Sequence, residues 1–467
     1  MRRRSIILTA LLFLFFVRQT FSQISFIPHT ISTNAVGAQS VIAIDLDKDN
    51  DIDVLSASRT DNKICWYEND GYENFTERII STTVNSAEDV FAIDIDIDND
   101  IDVLSASANG DIIIWFENDG NQNFTANSLS SSPYRATDVL AIDLDVDGDI
   151  DVLSAIYNND EINIYENNGQ QVFTEYTIIY STSAPHSIFA IDMDDDNAPD
   201  ILSASISDNK IAWHQNNDIH VQGFTEYIIS TNAVEALSVF GIDLDGDGDI
   251  DVISGSSDDH KIAWYENDGN LNFTEYIIST DASGAQSVFA IDLDNDGDID
   301  VLSASRTDNK IAWYENNGNQ VFTSHIITTN ALYAQCVFAL DLDGDDDIDV
   351  LSASQSDNKI AWYENIGTTG IEGNDFYSVP DKFILFNNYP NPFNPNTKIK
   401  YSVAHNSTVS IKVFDLLGNE VVTLVNEEKS IGNYEIDFYA GNFSTGLYFY
   451  RMQAGTFMDT KKLLLIK

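Results

Sequence analysis

A ladder of aspartates recurs seven times along the chain, beginning at Asp45, Asp94, Asp143, Asp192, Asp243, Asp292 and Asp341, in steps of 49, 49, 49, 51, 49 and 49 residues. A fixed period near fifty residues commits a chain to a repeat architecture, because one such unit cannot bury its apolar face alone and must stack on its neighbours. The stretch from Ser287 to Thr329 shows one unit. SVFAIDLD opens it and reads as a strand buried on both faces. IDVLSAS reads as a second strand, KIAWYEN as a third and FTSHIIT as a fourth. Asn316-Asn317-Gly318, like Asn69-Asp70-Gly71 and Asn267-Asp268-Gly269, supplies the φ > 0 residues of a tight hairpin turn. Four short antiparallel strands per unit describe a propeller blade.

The ends of the repeat region predict a closed ring. The seventh unit runs through its third strand, Lys359 to Asn365, and stops, whereas Phe26 to Ser32 carries a fourth-strand pattern ahead of the first unit. An N-terminal strand that completes the last blade removes the exposed sheet edges of an open stack. The expected fold is therefore all-β, a seven-bladed β-propeller of four-stranded blades over residues 23–366. Trp66, Trp115, Trp213, Trp264, Trp313 and Trp362 share one third-strand position with Ile164. That exchange keeps apolar volume, so the position reads as packing between blades rather than as a ring of sugar platforms.

Each ladder has the chemistry of a hard-cation loop. Carboxylates stand at positions 1, 3, 5 and 9, and position 7 offers a main-chain carbonyl, an oxygen-only set in a short turning loop that suits calcium better than zinc or magnesium. The candidate ligands are Asp45, Asp47, Asp49, Asp51 and Asp53; Asp94, Asp96, Asp98, Asp100 and Asp102; and Asp143, Asp145, Asp147, Asp149 and Asp151. In the remaining four loops they are Asp192, Asp194, Asp196, Ala198 and Asp200; Asp243, Asp245, Asp247, Asp249 and Asp251; Asp292, Asp294, Asp296, Asp298 and Asp300; and Asp341, Asp343, Asp345, Asp347 and Asp349. Position 6 is restricted to Gly, Asn or Asp, the residues that best tolerate a left-handed backbone. Without a cation, each pair of such charges ~4 Å apart repels by about 1 to 4 kcal/mol, depending on the effective dielectric. Up to seven Ca2+ ions, one per blade, are expected.

Charge and targeting narrow the setting. Residues 24–370 carry a balance of −55 and residues 371–467 only −1. So acidic a body excludes nucleic acid as a partner and is repelled by anionic membranes. Arg2, Arg3 and Arg4 before the apolar run Ile6–Val17 read as a secretory signal peptide over residues 1–22, cleaved after Ser22, and no later segment reads as a membrane span. Cys65 and Cys336 stand where sibling units have Ala or Ser, and read as small buried residues rather than a disulfide.

The pattern VFAIDLDNDGDIDVLSAS resembles the FG-GAP/VCBS-type repeat, also seen in the calcium-binding blades of integrin α-subunit propellers. The resemblance implies calcium held by the carboxylates at 1, 3, 5 and 9 and the carbonyl at 7. Beyond a linker at 367–380, residues 381–467 alternate short strands and turns, a small β-sandwich. Tyr389-Pro390-Asn391-Pro392-Phe393-Asn394-Pro395, Asp415-Leu416-Leu417-Gly418 and Gly446-Leu447-Tyr448 make this segment resemble the type A C-terminal sorting domain of the type IX secretion system. That implies contact with the type IX machinery, export across the outer membrane, and release or display at the cell surface.

Three readings of function follow. The first is a monomeric, non-enzymatic adhesion or capture module for an extracellular polysaccharide or protein; turn residues such as Arg59-Thr60-Asp61-Asn62 and Arg306-Thr307-Asp308-Asn309 are contact candidates, or plain turns. The second is a secreted glycoside hydrolase or polysaccharide lyase. Its candidates lie in the irregular fourth unit, where His214 and His220 flank Asp218. The third is a structural surface-layer component. The chain contains no nucleophile elbow, zinc signature or phosphate loop.

Overall fold

The computed structural model describes residues 24–110, 113–130, 135–220 and 223–368, and in the C-terminal part 383–389 and most of 395–465. The expected leader, most of the expected linker, most of the Tyr389–Pro395 motif and all of the Asp415–Gly418 motif lie outside the described residues.

Residues Ile24–Thr368 form one compact unit of seven four-stranded antiparallel sheets. Blade one is Ala38–Ile44, Asp53–Ser58, Lys63–Asn69 and Phe75–Ser81, paired in that order. The innermost strands lie side by side around a ring, and that of blade seven, Ala334–Leu340, meets that of blade one. Closure is as expected: Ile24–Ser32 pairs antiparallel with Lys359–Thr368, with His29 opposite Trp362. The closing strand begins two residues before the expected Phe26, because the third strand of blade seven runs on to Thr368 and offers Ile24 a partner.

Burial differs from expectation in one respect. The second strand of every blade is buried along its whole length, whereas the innermost strand is only partly so. The innermost strand borders the central channel, and beyond it toward the axis no further strand of the blade covers it. The apolar cores lie between blades: one joins Trp362 and Leu351 of blade seven to Val54 and Tyr67 of blade one. The tryptophans belong to these cores, as their exchange with Ile164 indicated. Outer-strand rings cover several, with Trp213 on Tyr227 at 4.6 Å and Trp264 on Tyr276 at 4.9 Å between centroids. Trp313→Ala is expected to cost about 3–5 kcal/mol, measured as a shift in denaturant midpoint. Trp313→Ile is expected to cost less, since blade three is built with Ile164 at that position.

The second unit holds a three-stranded sheet (Ile384–Tyr389, Asn396–Val403, Gly432–Tyr439) and a four-stranded sheet (Glu420–Lys429, Ser407–Phe414, Gly446–Ala454, Phe457–Leu465). Leu385, Ile399, Tyr401, Ile411, Val413 and Tyr450 form one core between them, a small sandwich. Among the described residues, no helix is long and apolar enough to cross a membrane.

Candidate metal centres

Each Asp ladder links the first and second strands of a blade. The backbone at position 6 is left-handed in all seven loops, with φ between 72° and 101°, as the restriction to Gly, Asn or Asp suggested. Position 4 is left-handed too, with φ of 58° to 75°. Sequence reasoning missed this, because Lys48, Ile97 and Val146 stand there beside Gly246 and Gly344, and the composition carries no signal. A β-branched residue in that region costs of order 1–3 kcal/mol, strain the surrounding loop must hold in place.

The loop is curled by its own amides. In all seven, one oxygen of the position-1 carboxylate accepts the position-6 amide at 2.8–3.1 Å, and the position-5 carboxylate accepts the position-7 amide at 2.8–3.0 Å. Position 9 plays a different part. Asp53 is fully buried, one of its oxygens accepting the Leu46 amide at 3.1 Å and the other the Asn69 amide at 2.8 Å. The same pair of bonds recurs in every blade, so this carboxylate ties the loop to the end of the third strand. The partner Asn completes the brace, as Asn69 Nδ2 donates to the Ile52 carbonyl at 3.1 Å. The signal for this Asn was present: it stands in all seven units, even where Trp gives way to Ile.

The structure gathers the carboxylates of positions 1, 3 and 9. Asp45, Asp47 and Asp53 bring one oxygen each within 4.8 Å of one another, as do Asp94, Asp96 and Asp102; Asp143, Asp145 and Asp151; and Asp192, Asp194 and Asp200. Positions 5 and 7 are not part of these groups. Burial pushes the position-9 carboxyls of Asp53, Asp102, Asp151, Asp251, Asp300 and Asp349 up to about 7 and that of Asp200 to about 6, against the lowering effect of the amide bonds. Burial, then the neighbouring Asp345, Asp349 and Asp341 charges, push Asp343 up to about 8. Asp45 Oδ1 and Asp194 Oδ1 are buried without a hydrogen-bond partner. Crowded acids that resist ionisation, with oxygens left over, fit a divalent cation. The indole N–H of Trp66 faces Asp53, although the geometry falls short of a well-formed hydrogen bond.

Position 7 has a steric role beside its carbonyl. A β-carbon on Gly71 would fall against the Asp51 carboxylate, and the same holds for Gly120 with Asp100, Gly169 with Asp149, Gly269 with Asp249 and Gly318 with Asp298. Blade four has Ala198 in place of the aspartate, and there the turn carries Asp218, at φ 80°, instead of glycine.

The irregular fourth unit does not assemble the two histidines. His214 is buried in the position that Tyr occupies in most blades, its Nε2 2.9 Å from Ser203 Oγ, where siblings place a tyrosine hydroxyl on the equivalent serine. Burial pushes it down to about 4. His220 turns away to the third loop, 3.3 Å from Asp145 and 3.8 Å from Glu166. The two histidines offered as candidates for an enzyme are thus not brought together: β-strand alternation sends position 214 inward, while the inserted turn carries position 220 to the adjacent blade. Within the Arg-Thr-Asp-Asn turns, Asn62 and Asn309 are left-handed, and their side chains accept the Ser86 and Tyr333 amides. Asp61 and Asp308 pair with Lys63 and Lys310. Arg59 and Arg306 tie in through their main-chain amides, which donate to the Gly37 and Gly284 carbonyls at 2.9 Å, and Arg59 Nε also donates to Ser86 Oγ at 3.0 Å.

The FG-GAP-like repeat model matches residues 45–105, 94–154, 143–203, 192–254, 243–303 and 292–352. The secretion system C-terminal sorting domain matches residues 387–467, which marks a chain exported by the type IX system to the cell surface or extracellular space. No curated protein matches the chain. Among solved structures, PorZ of Porphyromonas gingivalis, described as an essential surface component of the type IX secretion system, is similar at 12% identity and TM-score 0.45, over 89% of this chain and 58% of that one. This chain therefore spans less than two thirds of PorZ. A Lactobacillus plantarum protein is similar at 13% identity and TM-score 0.49, over 86% and 99% of the two chains. A putative 6-phosphogluconolactonase of Bacteroides uniformis is similar at 12% identity and TM-score 0.46, over 71% and 95%. With its ladders matched over more than half its length, the chain belongs to the family of FG-GAP-like repeat proteins.

Proposed function

We propose that the exported chain is a non-enzymatic binding module, a propeller held rigid by calcium in its Asp ladders, that captures an extracellular polysaccharide or protein. The observation that carries this reading is the gathering of carboxylates from positions 1, 3 and 9 at the same place in successive blades. Ions there offset the repulsion within each loop and lock it to the third strand. A rigid ring then presents its channel mouths and turns as fixed contact surfaces. We further propose that all the ladder aspartates named above, with the Ala198 carbonyl, contribute to up to seven sites, and that the C-terminal unit serves as an export address and not in binding.

A glycan and surface-protein array probed with the calcium-loaded chain, and again after chelation, tests this. Binding without product, weakened by chelation, is the expected result. An enzymatic reading would draw on a group such as that formed by His220, Asp145 and Glu166. Product release abolished by His220→Ala would replace the binding module with an enzyme.

A further inference from the structure

The end of the channel opposite the Asp ladders departs from sevenfold symmetry. Each innermost strand carries an irregularity near its start, as between Ala87 and Asp89 or Pro185 and Ser187. Such bulges re-aim the extra side chain. In blades two and four the extra residues are Glu88 and His186.

Residues 24–370 contain only four arginines, and three of them lie at this end. Arg59 and Arg135 approach Glu88 Oε1 at 3.3 and 3.6 Å. Arg306, from the opposite side of the ring, acts with them on one group: burial first, then the charges of Arg135, Arg306 and Arg59, push His186 down to about 4. His186 is therefore neutral, its Nδ1 bound to the Leu237 carbonyl at 2.9 Å, which leaves Nε2 as the acceptor.

The ladders do not cancel this charge. They lie at the far ends of the same strands, beyond a girdle of Phe189, Phe240, Phe289 and Phe338, whose ring centroids follow one another at 4.7–5.2 Å. Exposed charges further apart than about 8 Å are largely screened at physiological salt. Glu88 and the adjoining Asp89 and Asp138 lie at this end, as do Glu235 and Asp258 of blade five. Burial raises Asp89, and burial with the Asp89 charge raises Asp138 well above the usual carboxylate range.

Two observations point outward, to a ligand. Arg135 Nε is buried without a hydrogen-bond partner. Arg306 has no carboxylate within ion-pair distance among the described residues, and its guanidinium lies over the Tyr333 ring at 5.0 Å. Tyr333 is 37% exposed and held in a left-handed backbone, φ 63°, by the Asn309 side chain. The adjoining Gln335 and Gln355 amides bond to each other at only 3.4 Å.

We propose that this mouth binds a carboxylated sugar chain, with Arg306 as the principal ligand of the uronate, Arg59 and Arg135 flanking it, and Tyr333 with the glutamines taking the sugar face and hydroxyls. A planar fork suits a carboxylate, and an aromatic ring beside amides suits a pyranose better than a bare anion. The inference rests on the binding-module reading above and gives it a ligand class and a place.

The test is titration calorimetry of the calcium-loaded chain, dialysed free of excess ion, with galacturonate and mannuronate trimers and their methyl esters. At least one acid trimer is expected to bind, and its ester at least about tenfold more weakly. Arg306→Gln should weaken the acid by at least about tenfold, leave the melting temperature unchanged, and be only partly rescued by Arg306→Lys. Glu88→Gln, which frees Arg59 and Arg135 from a competing carboxylate, should tighten binding. Equal affinity for acid and ester, indifference to both substitutions, failure of both trimers, or preference for a carboxylate-ended peptide would each overturn the proposal. Array ligands retained by the Arg306→Gln protein would leave the binding-module reading standing while this one fell. An array with no ligands would remove both.

Discussion

Chelation of divalent cations is expected to lower the melting temperature of the exported chain by at least about 10 °C. A site held at a hundred times its dissociation constant contributes about 2.7 kcal/mol to the folded state. Three such sites already account for the shift in a unit of this size, and the chain carries seven Asp ladders. The physical cause lies in each loop: Asp341, Asp343, Asp345 and Asp349 crowd together, and burial with mutual repulsion pushes Asp343 up to about 8. A cation converts that repulsion into coordination. Differential scanning calorimetry with EGTA, then with calcium restored, measures the effect. Identical transitions with and without chelator would remove the metal from this account.

Asp251→Ala is expected to destabilise the chain by about 3 kcal/mol or more even without metal. Asp251 is fully buried and accepts the Leu244 amide at 3.2 Å and the Asn267 amide at 2.7 Å. Alanine leaves both donors unpaired, and each buried orphan costs about 1–3 kcal/mol. Asp247→Ala makes the contrast. Its side chain is exposed and accepts only the Asp249 amide, at 3.0 Å. It is expected to change stability in calcium and hardly at all in chelator. Denaturant unfolding of both variants under the two conditions separates the brace from the ligand. If Asp251→Ala were harmless in chelator, position 9 would be a ligand and no brace.

The channel-mouth residues were only half visible before folding. Arg59 and Arg306 were in view as members of turns that are contact candidates, yet Arg135 and His186 were not, since nothing in their local sequence says that they face the same axis. Asp89 and Asp138 are similar: each replaces a serine of sibling units, and only the ring makes them neighbours. His214 and His220 show the converse. Six residues apart in the chain, they read as a pair, but strand alternation and an inserted turn send one into the core and the other to a different blade.

The sequence alone determined the blade, the number of blades, the closing strand and the ladder spacing. Each of these follows from local periodicity, turn chemistry and a fixed repeat length, and those act within one unit. Tertiary structure decided which carboxylate is a brace, why glycine faces position 7, which strand of a blade is half open, and which side chains meet at the axis. These depend on which groups are buried and on which blades adjoin, and a linear repeat carries no record of either until the ring has closed.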